Sequence, residues 1–206
     1  GMKVKAWRLG NTVTAFTDID GYYCCDKAFK NPFNIDLYFG RNDFEVRPDG
    51  KNELVDKKNA VKGARDWTFV KDGNYQFYSH VFRAAFHYYY RTIIDGISRP
   101  PMNSEGPKLY IVPKTGYGAA GYGGYFYGTN KMGYIEVYKQ QQDKSLTYNY
   151  QTDETYGATI HELAHAAHWN FDKNRYANSS KIVIESWARG VEGQLTRKIY
   201  PGFADT

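Results

Sequence analysis

Cysteine is nearly missing from this chain: 206 residues carry only Cys24 and Cys25, and these are adjacent. Neighbouring cysteines rarely bridge one another, so no disulfide framework is available, and cysteine usage decides no redox compartment. The pair reads as two thiols on opposite faces of a strand, one of them buried. No apolar run approaches 18 residues, which excludes a membrane-spanning helix. The opening GMKVKAWRLG has no apolar signal core, and its Gly ahead of Met reads as a cloning remnant. Any export signal is therefore expected to have stood upstream. Charge of one sign is not strongly in excess either. The balance is +5 with a pI near 9.0, and the densest basic group is VDKKNAVKGAR at 55–65. Without a basic helix or a nucleic-acid motif, nucleic acid is not an expected partner.

What the chain has in quantity is tyrosine, 20 residues against 12 phenylalanines. Tyrosine joins apolar area to a polar tip, which suits exposed binding clefts and extracellular, carbohydrate-rich settings. The length suffices for one full domain with at most a small appendage.

Residues 1–48 read as short strands: VKAWRL, TVTAFT, GYYCC, NIDLYF and DFEVR, separated by Gly, Asn, Asp and Pro. Within them, TDIDGYYCCDKAF resembles the T-D-x-x-G-x-Y/F turn of transthyretin-like and carboxypeptidase-regulatory-like β-sandwich modules. That resemblance implies a β-rich N-terminal module over 1–48, a partial β-sandwich. The polar run 49–64 reads as a linker or surface loop. A helix is expected through GNYQFYSHVFRAAFHYYYRTII, where Tyr78, Val81, Phe82, Ala85 and Tyr89 follow helical spacing. Asn74 is its expected cap, with Gly96 and Pro100-Pro101 beyond its end. Strands KLYIVP and YIEVYK flank the Gly/Tyr-rich 115–133, which is expected to be a long hairpin or loop near a substrate cleft. Two helices close the chain. One is capped by Asp153 and runs to about Asn170; the other follows Ser179-Ser180 and stops at Pro201-Gly202. The order predicts an α+β fold, without the alternation of a doubly wound sheet.

Three of the five histidines fall in TIHELAHAAHW, residues 159–169. His161, Glu162 and His165 form H-E-x-x-H. On a helix, residues four apart stack one turn above each other, with Cβ atoms about 5–6 Å apart. Two imidazoles so placed can converge on one zinc ion, with bonds of about 2.0–2.1 Å. Glu162 is rotated about 100° away and can instead reach a metal-bound water as general base. Ile160, Leu163, Ala164, Ala167 and Phe171 form an apolar stripe on the other side, as a central active-site helix requires. So short a motif also arises by chance, and a third ligand must complete it. His168 shares the histidine face but lies about 10.5 Å along the axis from His161, too far to share a tetrahedral ion easily. It is expected as a cleft-wall or second-layer residue. The metzincin pattern fails, because His168 and Phe171 occupy its Gly and last His positions.

Glu185, twenty positions after His165 in VIESWARGVEGQL, brings a family into view. The arrangement resembles the gluzincin metallopeptidases, including thermolysin and the aminopeptidase N-like enzymes, whose third ligand is a Glu on the next helix. The stretch is similar to the N-E-G-x-A-x-Y-x-E pattern, with Glu185, Ala188 and Glu192 in place. Ile184, Ser186 and Gly190 depart from its Asn, Gly and Tyr. The resemblance covers 153–199. It implies a zincin-like metallopeptidase domain over 65–206: a helix, a mixed sheet with an edge strand, an active-site helix and a third-ligand helix. It implies zinc held by His161, His165 and Glu185. Glu192, seven residues after Glu185, is expected to orient a ligand histidine.

Such enzymes draw an oxyanion donor, a Tyr or His, from a C-terminal part, whereas fourteen residues follow Glu192 here. Tyr156 and the tyrosines of 117–127 stand as candidates, with none preferred. No G-x-M-E-N motif is present, so an aminopeptidase is not expected. The expected function is zinc-dependent hydrolysis of peptide or protein substrates, as an endopeptidase, by an exported bacterial protein. The alternative is a non-catalytic protein on the same scaffold that engages glycan or protein through its aromatic surface.

Overall fold

A computed structural model describes the chain except residues 19, 49, 64, 92–95, 105–107, 119–120, 124–132, 144–145 and 205–206. Strands β1 (Lys3–Arg8) and β2 (Asn11–Phe16) form a hairpin closed by Leu9 and Gly10. Both turn residues have positive φ, 32° and 78°, the handedness that matches strand twist in a two-residue turn. Strand β3 (Phe33–Tyr38) pairs antiparallel with β1, setting Leu37 opposite Val4 and Ile35 opposite Ala6 on one buried face.

The next two strands exchange places relative to expectation. β4 (Phe44–Val46) lies within the expected N-terminal module, yet it pairs parallel with a strand of a second sheet. β5 (Val55–Val61) lies within the expected linker, yet it completes the first sheet, in order β2-β1-β3-β5. Its polar residues are accommodated because it is an edge strand: Lys57 stands opposite Asp36, while Val61 is buried. Backbone hydrogen bonds Val46 N–Phe39 O, Leu54 N–Val46 O and Phe39 N–Leu54 O stitch the two sheets together. One hydrophobic core runs through both, from Val4 and Leu37 to Phe44 and Ile111.

GYYCC, expected as a strand, is irregular. Asp18 Oδ1 accepts the backbone N–H groups of Asp20 and Tyr22, both at 2.9 Å, and this turn leads the chain off β2 before another strand can pair. Both thiols are free, Cys24 exposed and Cys25 half-buried, so the expected strand arrangement of the two does not hold.

Helix α1 (Asn74–Arg91) buries the expected stripe, Tyr78, Val81, Phe82, Ala85 and Tyr89. Beyond it the second sheet takes the order β4-β6-β8-β7, with β6 (Leu109–Tyr117), β7 (Gly121–Gly123) and β8 (Tyr134–Asp143). β6 and β8 are parallel, so the connection between them is a crossover; of the long hairpin or loop expected there, the hairpin does not hold. Within it β7 runs antiparallel along β8, and β9 (Leu146–Asn149) pairs further along the same strand. Most of the Gly/Tyr-rich connection, and its expected place near a cleft, lie outside the described residues.

Three helices follow: α2 (Thr152–Phe171), α3 (Lys173–Asn178) and α4 (Lys181–Ile199). The architecture is α+β, one antiparallel and one mixed sheet with four helices among the described residues. α2 packs against α1, α4, β7 and β8. It is therefore central, and Ile160, Leu163, Ala164 and Ala167 are fully buried. Phe171 is the exception in its stripe: it is 73% exposed at the last turn, past the packed layer. Among the described residues no helix is long and apolar enough to cross a membrane.

Candidate metal centre

The N-terminus of α2 is set by Gln151, two residues before the Asp153 expected as its cap. The Glu154 carboxylate accepts the Gln151 N–H at 2.6 Å, while Asp153 and Glu154 place negative charge in the first turn. Asp172 then ends α2 and caps α3, its Oδ1 accepting the Arg175 N–H at 3.0 Å. The short α3 reverses the chain, and Ser180 caps α4. The α3 turn lays α4 back along α2, and the next contacts depend on that return.

His161 and His165, one turn apart on α2, meet Glu185 on α4. Their Nε2 atoms lie 3.1 Å apart, and Glu185 Oε2 stands 3.3 Å from His161 Nε2 and 3.6 Å from His165 Nε2. Zinc bonds of about 2.0–2.1 Å at tetrahedral angles set ligand atoms about 3.3 Å apart. The three atoms thus have the spacing of one face of a tetrahedron. They form a His-His-Glu group that could hold a metal ion. Two imidazoles and one carboxylate suit a borderline ion such as zinc better than magnesium or calcium, which prefer oxygen.

The far nitrogens of both rings are held. His161 Nδ1 lies 2.9 Å from Glu192 Oε2, so its N–H donates to that carboxylate and Nε2 faces the group. Glu192, expected from the family pattern and its seven-residue spacing from Glu185 to orient a ligand histidine, lies against His161. His165 Nδ1 lies 3.5 Å from the hydroxyl of Tyr176, a fully buried residue of α3. Sequence reasoning missed Tyr176, which sits in a separate helix eleven residues on and shares no period with the motif. It also missed Gly157, one turn before His161. A Cβ there would stand 2.9 Å from the Phe203 ring and 3.1 Å from Glu192 Oε1, so the glycine makes room for the carboxylate that holds His161. A glycine inside a helical pattern was the available signal.

Glu162 is buried, 4% exposed, beside this group. Burial first, with Glu185 and Glu192 adding to it against the pull of His161, raises its carboxyl to about 8. Burial, then the neighbouring His161, lowers His165 to about 4. For His161, burial opposes the charged form, but the Glu192 hydrogen bond and the surrounding carboxylates prevail and raise it.

His168 stands outside the donor group. Its ring meets the Tyr176 ring edge-on at 4.9 Å and lies 5.6 Å from Trp187. Tyr156, one of the candidate oxyanion donors, has its hydroxyl 2.9 Å from His87 Nδ1 on α1 and is engaged there. The tyrosine side chains of 117–127 lie outside the described residues. No family model, curated protein or solved structure matches this chain.

Proposed function

We propose that the chain is a zinc-dependent peptide hydrolase of gluzincin type on a zincin-like fold, with His161, His165 and Glu185 as the zinc ligands. The observation that carries this reading is the 3.1, 3.3 and 3.6 Å triangle of Nε2, Nε2 and Oε2 beside a buried glutamate. Zinc bound there would lower the pKa of a water and polarise a peptide carbonyl. With zinc's positive charge beside it favouring the ionised form, Glu162 would take a proton from the attacking water as its oxygen bonds to the carbonyl carbon. The same carboxyl then gives that proton to the amine as the C–N bond breaks. Its burial keeps bulk water from competing for the proton. Glu192 and Tyr176 hold the two imidazoles so that both present Nε2.

Cleavage of a mixed peptide library is the test. Phenanthroline should abolish it, and Glu162→Gln should lower the rate by about 10²–10⁴ while leaving zinc bound. Cleavage at an unchanged rate in Glu162→Gln would refute the mechanism. Zinc binding without any cleavage would favour the second reading, a binding protein. Exposed Tyr22 and Trp187 support that alternative.

A further inference from the structure

A cavity of about 460 Å³ lies against the N-terminal sheet, between residues 21–29 and Gly63, Arg65 and Asp66. None of its lining residues belongs to α2, α3 or α4. Its floor is Ala6 and Ile35, which continue the buried face begun by Val4 and Leu37. The small Ala6 side chain leaves space above the strand. Phe29 and Phe33 form one wall, stacked with centroids 4.7 Å apart. Tyr23 forms another, and two contacts from distant sequence fix it. Its hydroxyl donates to the Arg65 carbonyl at 2.6 Å, and its ring lies 5.9 Å from Trp67. The walls are pinned before any ligand arrives, and the volume falls in the range of small-molecule sites, about 300–1,000 Å³.

The charged lining residues are Lys27, Arg65 and Asp66, an excess of one positive charge. Lys27 is positioned by donation to Asn11 Oδ1 at 2.9 Å. Both thiols also line the space. We propose that this cavity binds a small aromatic carboxylate, its ring between the Phe29–Phe33 wall and Tyr23 and its carboxylate toward Lys27 and Arg65. Flat rings suit the aromatic walls through offset or edge-on contact. The positive excess selects an anionic end over a cationic one.

The probe is 2-naphthoate, titrated by calorimetry into the whole chain. One saturable site is expected, weakened about tenfold in Lys27→Glu/Arg65→Glu, since two exposed charges have changed sign. Neutral 2-naphthamide should bind more weakly than naphthoate to the wild type and about equally to both proteins. Cys24 supplies a separate readout: saturating naphthoate should slow its alkylation by iodoacetamide. Stripping metal with EDTA should leave all of this unchanged. The proposal is overturned by no saturation below millimolar naphthoate, by equal affinity in the charge-reversed variant, or by unprotected Cys24 in the bound state. Loss of binding with EDTA would also overturn it, because the anion would then sit at the metal centre.

Discussion

Zinc added to metal-stripped protein should raise its melting temperature, and Glu185→Ala should remove most of that rise. The three candidate ligands come from two helices, α2 and α4, so an ion that binds all three is bound only by the folded chain. Zinc at one hundred times its dissociation constant stabilises the folded state by about 2.7 kcal/mol. At about 2.1 cal/mol/K of unfolding entropy per residue, 206 residues give about 430 cal/mol/K, so the midpoint rises by about 6 °C. Glu185 is the informative candidate ligand to remove because its side chain is 43% exposed, whereas that of His165 is 7% exposed. Truncating a half-exposed carboxylate should change the metal-free midpoint by no more than about 1–2 °C. Scanning calorimetry with and without zinc, and with magnesium as control, reads the result. A zinc shift as large in Glu185→Ala as in the wild type would show that the ion binds elsewhere. No shift in either protein would refute the metal reading itself.

Two further substitutions probe how α2 is supported. Alanine in place of a helix-interior glycine normally gains about 0.5–1 kcal/mol. Gly157→Ala should instead lose stability and zinc affinity together, because its Cβ would press on Phe203 and Glu192; denaturant unfolding and chelator competition measure the two. His87 should make the fold acid-sensitive. Burial first, then Arg83 and Arg91, hold it at about 4, below its ordinary value near 6.5. The unfolded chain therefore takes up the proton first. Stability from this residue is fully present above about pH 6.5 and falls toward pH 4, by up to about 2 kcal/mol at pH 5. His87→Asn should lose correspondingly less between pH 7.5 and 5 in urea titrations, and an equal loss would contradict the assignment.

The helical parts of this molecule were legible because they repeat. The His161–His165 spacing, the α1 stripe and the Glu185–Glu192 spacing are consequences of 3.6 residues per turn, and each places its side chains where the period says. Partnerships set by long-range pairing were not legible. Nothing in FEV or VDKKNAV states that the first joins the second sheet and the other the first, because strand partners are chosen by tertiary packing. The parallel course of β6 and β8 was hidden for the same reason. GYYCC misled because β-prone residues follow an aspartate that closes a turn on its own backbone. Tyr176 became visible only once α3 was seen to fold the chain back over His165.

The burial of Glu162 bears on both stability and chemistry. A helix chosen only for packing would place an apolar residue at a position 4% exposed, as α2 does at Leu163 and Ala164. Taking a carboxyl out of water is costly, more so with Glu185 and Glu192 nearby. A residue that breaks the local rule without structural benefit is expected where function requires it. Gln keeps the shape and removes the ionisable group, so metal-stripped Glu162→Gln should be more stable than the wild type, by on the order of 1–3 kcal/mol. Urea unfolding of the two stripped proteins at pH 7.5 measures the difference. A stabilised but hydrolytically inert variant would mean that Glu162 is kept for chemistry at the expense of the fold. A destabilised one would mean that its carboxyl is a structural partner, and the buried glutamate would no longer support a catalytic centre.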